Sequence, residues 1–251
     1  RQLRPDLILF DPILRSHGTP NPDRVTLAYL AWKLQIPMVG ILWDSGPCSI
    51  QMYDQYFPMC RHVILVDGKS PVGHTMNPDR FSWDWWVPSD GRLVTDSGYV
   101  RTIAVAFPAQ VVPEDEHRQT FIGEMGVRGI IPVIPRGFVP LESFYDLHKT
   151  AKITINNATH ERKWRAFACI GCGALHLERE GSPVERYFTP GTEYVTYTDL
   201  DDLAEKARYY LAHDSERTAI ASAGYERYHR DYSAARWWRQ VFDRAGIEGT
   251  A

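Results

Sequence analysis

The hydrophobic and polar positions of this sequence follow two periods, and both recur along most of the chain. Short apolar runs, such as residues 7–10 and 37–43, have the length of buried strands, whereas residues 24–34 place apolar side chains at helical spacing. The order of strand, helix and strand repeats from the first residues onwards. This rhythm predicts an α/β protein with parallel sheets, because parallel strands need a helix as their crossover.

The same pattern gives the bounds of each predicted element. It predicts strands at residues 7–10, 37–43, 63–67, 102–107, 130–134, 153–156, 174–177 and 194–197. It predicts helices at residues 24–34, 50–59, 114–125, 141–149, 161–170, 183–188, 200–212, 215–229 and 234–245. Residues 71–97 interrupt the rhythm, because they are rich in Pro, Gly and Asp and have no sustained period.

This interruption divides the chain into domains. We expect residues 1–92 to form a partial Rossmann-like domain and residues 93–232 a complete one. Residues 233–251 are predicted to form a C-terminal helix, on which Trp237, Trp238 and Phe242 make an apolar face. The sequence opens on Arg1 and passes at once into a strand, so we expect the first domain to be truncated at its N-terminus.

Composition and charge exclude some classes of protein. The 251 residues are 44% hydrophobic and 24% charged, which is typical of a globular protein. The formal net charge of −3, with basic residues spread along the chain, does not predict nucleic-acid binding. The sequence has no apolar run of membrane-spanning length. We therefore expect a soluble, cytoplasmic protein.

The four cysteines, Cys48, Cys60, Cys169 and Cys172, are too few for a disulfide scaffold and fit a reducing compartment. The C-x-x-C spacing of Cys169 and Cys172 is open to a metal or redox interpretation. The other two cysteines do not repeat that spacing, so packing of both thiols in the core is the favoured interpretation.

A dense set of motifs lies between residues 98 and 232. It reads R-x-F-x-x-x-x-C-G-A-L from Arg165, then PG-x-E-x-V-x-Y, D-L-D-D-L-x-x-K-x-x-Y-Y-L-A-H and E-R-x-x-I-A-x-x-G. This order resembles the C-terminal donor-nucleotide domain of the glycosyltransferase-like proteins related to the spore maturation protein CgeB. The resemblance implies the GT-B architecture, in which two Rossmann-like domains face a cleft, with residues 1–92 as the acceptor-side domain and a C-terminal helix that crosses back onto it. It also implies transfer of a sugar from a nucleotide-sugar donor. No histidine spacing suggests a metal site and the glycines do not form G-x-G-x-x-G, so we expect neither a metal nor a nicotinamide cofactor.

Candidate donor-binding residues follow from the rule that ligands bind beyond the carboxyl ends of parallel strands. They are Arg118, Arg136, Asn157, Arg162, Lys163, Arg165 and Glu178. The nucleoside diphosphate gains negative charge as the glycosidic bond breaks, so cations and helix N-termini suit this place. Arg162 and Lys163 fit a solvated helix face equally well, whereas Arg165 matches the arginine of the motif.

An inverting reaction also needs a general base for the acceptor hydroxyl. Asp44 follows a strand of the first domain and fits the family-like pattern that begins at Pro37, while Asp11 and His17 are rival candidates. An aspartate at a strand end is also a common turn or helix cap. A retaining reaction needs no such base, and the sequence leaves the choice of mechanism, sugar and acceptor open.

The chain departs from the motif at one position. Where the family-like sequence reads R-x-F-E, this chain has Ala168, which cannot accept a hydrogen bond from a donor hydroxyl. Glu161, Glu178 or Glu180 could take over that role from a neighbouring loop. This departure and the short N-terminus keep open a catalytically silent protein that binds nucleotide sugars or glycans. A third alternative is a subunit or oligomer in which a partner chain supplies the missing half of the first domain.

Overall fold

The structure is a computed structural model, and it divides the chain into two compact units. The first unit comprises Arg1–Trp86, His160–Arg162 and Ala235–Ala251, and the second comprises Val87–Thr159 and Lys163–Ala234. The structure describes residues 5–10, 23–42, 54, 56–66, 78–83, 94, 98–109, 111, 115–135, 137, 139–157 and 164–247. In the described residues, each unit contains one parallel sheet of four strands.

The first unit has the sheet order β1, β2, β3, β4. Its strands are Ile8–Phe10 (β1), Met38–Leu42 (β2), His62–Leu65 (β3) and Phe81–Trp83 (β4). Helix α1, Arg24–Ala28, continues as π-helical turns over Tyr29–Lys33, and 3₁₀ turns cover Phe57–Met59 and Pro78–Arg80. All five residues of β2 are buried, as expected for a central strand with both faces covered.

Strand β4 differs from the sequence-based expectation, because residues 71–97 were interpreted as a domain edge and a linker. Its three residues pair in parallel with β3, through Val63 with Phe81 and Leu65 with Trp83. Three residues are too few to show an alternating pattern, so periodicity could not reveal this strand. Half of the predicted helix 50–59 lies outside the described residues, and its last three residues, Phe57–Met59, form a 3₁₀ turn.

The second unit carries the longer run of elements. They are β5 Ile103–Ala106, α2 Glu116–Val127, α3 Leu141–Thr150, β6 Ala151–Ile155, α4 Trp164–Gly171, β7 Leu175–Arg179, a 3₁₀ turn Pro183–Arg186, β8 Val195–Tyr197, α5 Leu200–Ala212 and α6 Asp214–Asp231. Helix α7, Ala234–Ala245, follows, and all of it except Ala234 belongs to the first unit. There, Arg61 Nη1 donates a 2.6 Å hydrogen bond to the Ala245 carbonyl.

The sheet of the second unit has the order β5, β6, β7, β8. The predicted strand 130–134 is reduced to a single parallel bridge between Val133 and Ala106, on the outer side of β5. Pro132 and Pro135 flank this bridge and have no N–H to donate, which limits the pairing at the sheet edge.

The amino-terminal edge of this sheet is held by Arg101. Its Nη1 lies 3.2, 3.0 and 2.9 Å from the carbonyl oxygens of His148, Lys149 and Ala151, and its Nη2 lies 2.8 Å from that of Cys172. These carbonyls stand at the C-terminal ends of α3 and α4, where a cation is electrostatically favoured. One side chain therefore satisfies the ends of two helices.

Helix α6 packs closely on α4 because it carries a glycine at the crossing. A Cβ atom at Gly224 would overlap the Glu193 carbonyl oxygen and lie 2.9 Å from Ile170 Cγ2. Gly171, on the facing helix, has the same requirement, since its Cβ would lie 2.8 Å from a Tyr228 ring carbon. The two glycines allow a backbone approach that no other residue type permits.

We therefore predict that Gly224→Ala lowers the free energy of unfolding by about 2 kcal/mol, because the added methyl overpacks the contact between α4 and α6. Gly123→Ala is the matched control, since Gly123 is exposed on α2 and its Cβ would meet nothing within 4 Å. The control should raise stability by about 0.5–1 kcal/mol through helix propensity. Urea denaturation measures both; equal effects of the two variants would contradict the close packing.

Candidate functional site

The topology of the second sheet selects one crevice. From β5 the chain moves to the outer bridge at Val133, and it then returns through α3 to the opposite flank as β6. The connections therefore diverge on the two sides of β5 and β6. Ligands of open α/β sheets bind at such a switch point, beyond the carboxyl ends of the two strands.

A chain of buried polar side chains begins at this crevice. Arg165, on the first turn of α4, donates from Nη1 to Asn156 Oδ1 at 2.8 Å. Asn156, directly after β6, donates from Nδ2 to Glu178 Oε2 on β7, also at 2.8 Å. Arg165 is 8% exposed, Asn156 1% and Glu178 0%. A guanidinium and a carboxylate thus lie buried on either side of one amide.

The chain of contacts continues along the same face of the sheet. His176 Nε2 lies 3.1 Å from Glu178 Oε2, and His176 Nδ1 lies 3.1 Å from Thr154 Oγ1. The backbone N–H of Arg179 donates to Glu178 Oε1 at 3.3 Å, so both carboxylate oxygens accept hydrogen bonds. We name the residues Thr154, Asn156, Arg165, His176 and Glu178 the polar network.

The alternation of side chains along the strands produces the polar network. Residues 154 and 156 of the β6 segment and residues 176 and 178 of β7 point to one face, because strand side chains have a period of two. The intervening Ile153, Ile155, Leu175 and Leu177 belong to the apolar core on the other face. This polar alternation is the sequence signal for Thr154 and His176, which the sequence analysis did not select.

His148 and Cys169 lie near the polar network. The Cys169 Sγ is 3.3 Å from His148 Nδ1. Burial lowers the pKa of His148 to about 3, with the positive charge of Arg165 as a smaller cause. Burial likewise raises the pKa of the Cys169 thiol. Both groups are therefore uncharged at neutral pH, and the buried Cys169 and Cys172 agree with the predicted packing role.

A groove of about 700 Å³ opens where β6, β7 and β8 end. Asn157, Arg179, Tyr197 and Thr198 line it on the strand side, and α2 forms the other wall. The Tyr197 hydroxyl donates to the Asn156 carbonyl oxygen at 2.7 Å, and burial raises the pKa of that hydroxyl. The end of β6 therefore joins the two features, with Asn156 in the polar network and Asn157 on the groove.

Carboxylates line much of the groove, and the helix ends engage several of them. Asp199 caps α5 and accepts from the backbone N–H groups of Asp201 and Asp202, both at 2.9 Å. Asp201 pairs with Arg128 Nε at 2.6 Å, and Glu124 lies 3.4 Å from the same guanidinium. A groove lined by carboxylates, an amide and aromatic rings is suited to a ligand with hydroxyl groups and a flat ring.

The structure brings three of the selected residues, Asn157, Arg165 and Glu178, to the ends of β6 and β7. Arg118 lies on the first turn of α2, where its Nε is 3.1 Å from the carboxylate of Asp115, the residue that caps this helix. The other selected residues lie outside the described part of the chain: Asp11, His17, Asp44, Arg136, Arg162 and Lys163.

Position 168 lies inside α4. Ala168 is 3% exposed, one helical turn after Arg165, so its methyl group packs in the interior. Of the three glutamates considered as replacements, Glu178 is buried in the polar network and Glu180 is exposed. Glu161 lies outside the described residues.

Solved structures share this architecture. The chain is similar to Anabaena HepE (Alr3699) in complex with UDP-glucose, at a TM-score of 0.67 and 11% identity over 96% of this chain and 78% of that chain. It is similar to a glycosyltransferase from Rickettsia africae ESF-5, at a TM-score of 0.63 and 10% identity over 94% of this chain and 84% of that chain. It is also similar to an α-glucosyltransferase in complex with UDP-glucose and DNA containing an abasic site, at a TM-score of 0.66 and 11% identity over 96% of this chain and 80% of that chain. These similarities define the GT-B fold.

A sequence profile of the glycosyl transferase-like family matches residues 112–243, which is more than half of the 251 residues. The chain belongs to this family. No curated protein sequence matches it. The helices in the described part of the chain are all too short or too polar to span a bilayer.

The polar network predicts a specific stability effect. Glu178→Gln keeps the shape of the side chain but removes the negative charge of the carboxylate that contacts Asn156 and His176. It also places the new amide NH₂ group opposite the backbone N–H of Arg179, so that two donors face each other. We expect the free energy of unfolding to fall by about 2 kcal/mol, the range for hydrogen bonds to a buried charged group. Denaturant unfolding monitored by circular dichroism measures it.

The matched control is Glu180→Gln, which makes the same chemical change two residues later at an exposed position. It should change stability by less than about 0.5 kcal/mol. Equal losses in the two variants would show that the polar network does not contribute as described.

Proposed function

We propose that this chain transfers a sugar from a nucleotide-sugar donor to an acceptor hydroxyl, and that the second unit binds the donor. The observation that carries the proposal is the buried guanidinium of Arg165. It stands at the start of α4, beyond the carboxyl end of β6, at the switch point of a sheet in a glycosyl transferase-like chain.

The position suits the charge that develops during the reaction. As the glycosidic bond breaks, the electron pair goes to the nucleoside diphosphate, which leaves with added negative charge. A fixed cation and the N-terminus of α4 stabilise that charge without reorganising at the moment of reaction. Because Arg165 is only 8% exposed, solvent screens its charge weakly. We propose that these protein groups do this work without a metal ion.

The groove at the ends of β6 to β8 is the proposed site for the nucleoside. Its volume of about 700 Å³ lies within the range of small-molecule sites. Asn157 and the carboxylates of α2 offer acceptors for ribose hydroxyls, and the exposed His117 of α2 offers a ring. Three of the similar structures are complexes of HepE with UDP, UDP and glucose, or UDP-glucose, so we propose a UDP-sugar as the donor.

The acceptor half of the proposal rests on the first unit. Asp44 is the first candidate for a general base in an inverting reaction, with Asp11 and His17 as the rivals. The motif order from Arg165 to Gly224 further supports a place among the CgeB-related members of the family.

A second function is favoured by one observation, the alanine at position 168. A chain without the motif carboxylate could bind a donor and not turn it over. Isothermal calorimetry with UDP, GDP and their sugar conjugates, followed by an assay for released nucleotide, separates the two functions. Donor binding with release supports the transferase; binding without release, across a panel of acceptors, supports the silent binding protein.

Arg165→Ala is the sharpest variant for the donor site. We expect UDP affinity to fall at least about 30-fold, because a desolvated cation that faces a diphosphate contributes 2–5 kcal/mol. Arg165→Lys should recover only part of this, since an ammonium lacks the planar fork of a guanidinium. Calorimetry measures the affinity, and thermal unfolding checks that each variant is folded.

The control is Arg230→Ala, on the last turn of α6, where the side chain is 60% exposed and pairs with Asp231. It should bind UDP with unchanged affinity. If Arg165→Ala is folded and binds UDP as tightly as the unmodified chain, the diphosphate does not lie at α4. Chelation of divalent cations with EDTA should leave UDP affinity unchanged, and a large loss would contradict the metal-free proposal.

A further inference from the structure

We propose that Glu178 is a positioning residue, which holds the Arg165 guanidinium through Asn156 in the orientation that binds the donor diphosphate. The inference deepens the proposed function and rests on it. It assigns to Glu178 a role that differs from direct contact with the donor, because this carboxylate is fully buried.

The link through Asn156 has only one orientation. A guanidinium can only donate hydrogen bonds, and an ionised carboxylate can only accept them. The amide of Asn156 must therefore turn its oxygen to Arg165 and its nitrogen to Glu178, and both contacts measure 2.8 Å. The reverse orientation would oppose donor to donor and acceptor to acceptor. The charges at the two ends thus fix the amide, and the amide in turn fixes the guanidinium.

Glu178 is held from its other side as well. His176 Nε2 is 3.1 Å from Oε2, and the N–H of Arg179 donates to Oε1. The imidazole is itself held at Nδ1 by the Thr154 hydroxyl, and His176 and Thr154 are both 0% exposed. The carboxylate cannot turn towards a ligand without breaking these contacts. Its negative charge therefore acts on the site through Asn156.

The amide between the two charges is what makes the arrangement useful to a phosphate site. A direct bidentate pair of arginine and carboxylate would place the negative charge against the cation and weaken its positive potential. With Asn156 between them, the carboxylate compensates the buried positive charge from a greater distance. The guanidinium is held in place and keeps a positive potential at the start of α4.

Stability alone does not account for such a network. Buried charges pay a desolvation penalty, and well-packed apolar side chains of the same volume are often equally or more stabilising. The opposite face of the same two strands is packed in that way, with Ile153, Ile155, Leu175 and Leu177. The polar face is therefore expected to contribute pre-organisation of Arg165, which lowers the cost of ordering the site when the ligand binds.

The test compares two probes, UDP and uridine, which share the base and the ribose and differ in the diphosphate. In Glu178→Gln we expect UDP affinity to fall about tenfold and uridine affinity to change less than about twofold, because only UDP meets Arg165. The exposed control, Glu226→Gln on α6, should bind both probes unchanged. A loss of folded structure alone would weaken both probes equally and would overturn the inference.

Asn156→Ala tests whether the effect passes through the amide. It should also weaken UDP selectively, and adding Glu178→Gln to it should cause no further loss, because the link is already cut. Additive losses would overturn the role of Asn156 as the link. If Glu178→Gln does not fold, Glu178→Asp makes the same comparison, since it keeps the charge but withdraws the carboxylate by one methylene.

The outcomes separate this inference from the proposed function. If the unmodified chain binds no nucleoside diphosphate, the proposed function fails and the inference fails with it. If UDP binds and Arg165→Ala abolishes binding, while the folded Glu178 variants bind UDP normally or more tightly, the proposed function stands and the positioning role is wrong.

Discussion

The second unit is built around the need to compensate a buried positive charge. Its parallel sheet is covered on both faces, so any ion between the sheet and α4 is removed from water. Arg165 is such an ion, and the carboxylate of Glu178 compensates its charge through the amide of Asn156, which contacts both side chains. Asn156 follows β6 and Glu178 lies on β7, and these two strands are neighbours in the sheet. The charge compensation therefore depends on the pairing of β6 with β7.

The helices depend on the same arrangement. Helix α4 must lie close to the sheet for Arg165 to reach Asn156, and α6 must lie close to α4 to cover it. Gly171 and Gly224 remove the side chains that would separate these helices, and Gly173 ends α4 with a left-handed φ of 74°. Residues 164–173 therefore contain the buried cation Arg165, the close helix contact at Gly171 and the turn at Gly173.

The sequence predicted this segment and the second unit well, for physical reasons. Helix α5 was predicted with its observed bounds, because the Asp199 cap and the helical spacing of its apolar residues are both visible in the sequence. Gly173 takes a left-handed φ after the helix, whereas Gly171 remains helical and serves packing. Short edge elements were harder to predict: the segment of β4 was interpreted as a domain edge without bounds for a strand, and the strand at 130–134 is a single bridge. Pairing at an edge depends on neighbours that are distant in sequence.

The candidate site was only partly predictable. Arg165, Asn157 and Glu178 were selected because strand ends and helix starts can be located from periodicity. The role of Glu178 could not be predicted in that way, because whether a carboxylate faces solvent or a buried amide depends on which face of the sheet α4 covers. Thr154 and His176 were missed for the same reason, although their alternation with isoleucine and leucine was visible in the sequence.

The alanine at position 168 fits this charge balance. Residue 168 stands three positions after Arg165 on α4, where side chains of the same helix face are neighbours. Within the polar network, a carboxylate buried there would add a second negative charge to that of Glu178, against the guanidinium of Arg165. Such a charge is costly to bury and would oppose the diphosphate that the proposed site receives. An uncharged side chain at 168 therefore leaves the charges of Arg165 and Glu178 balanced within the polar network.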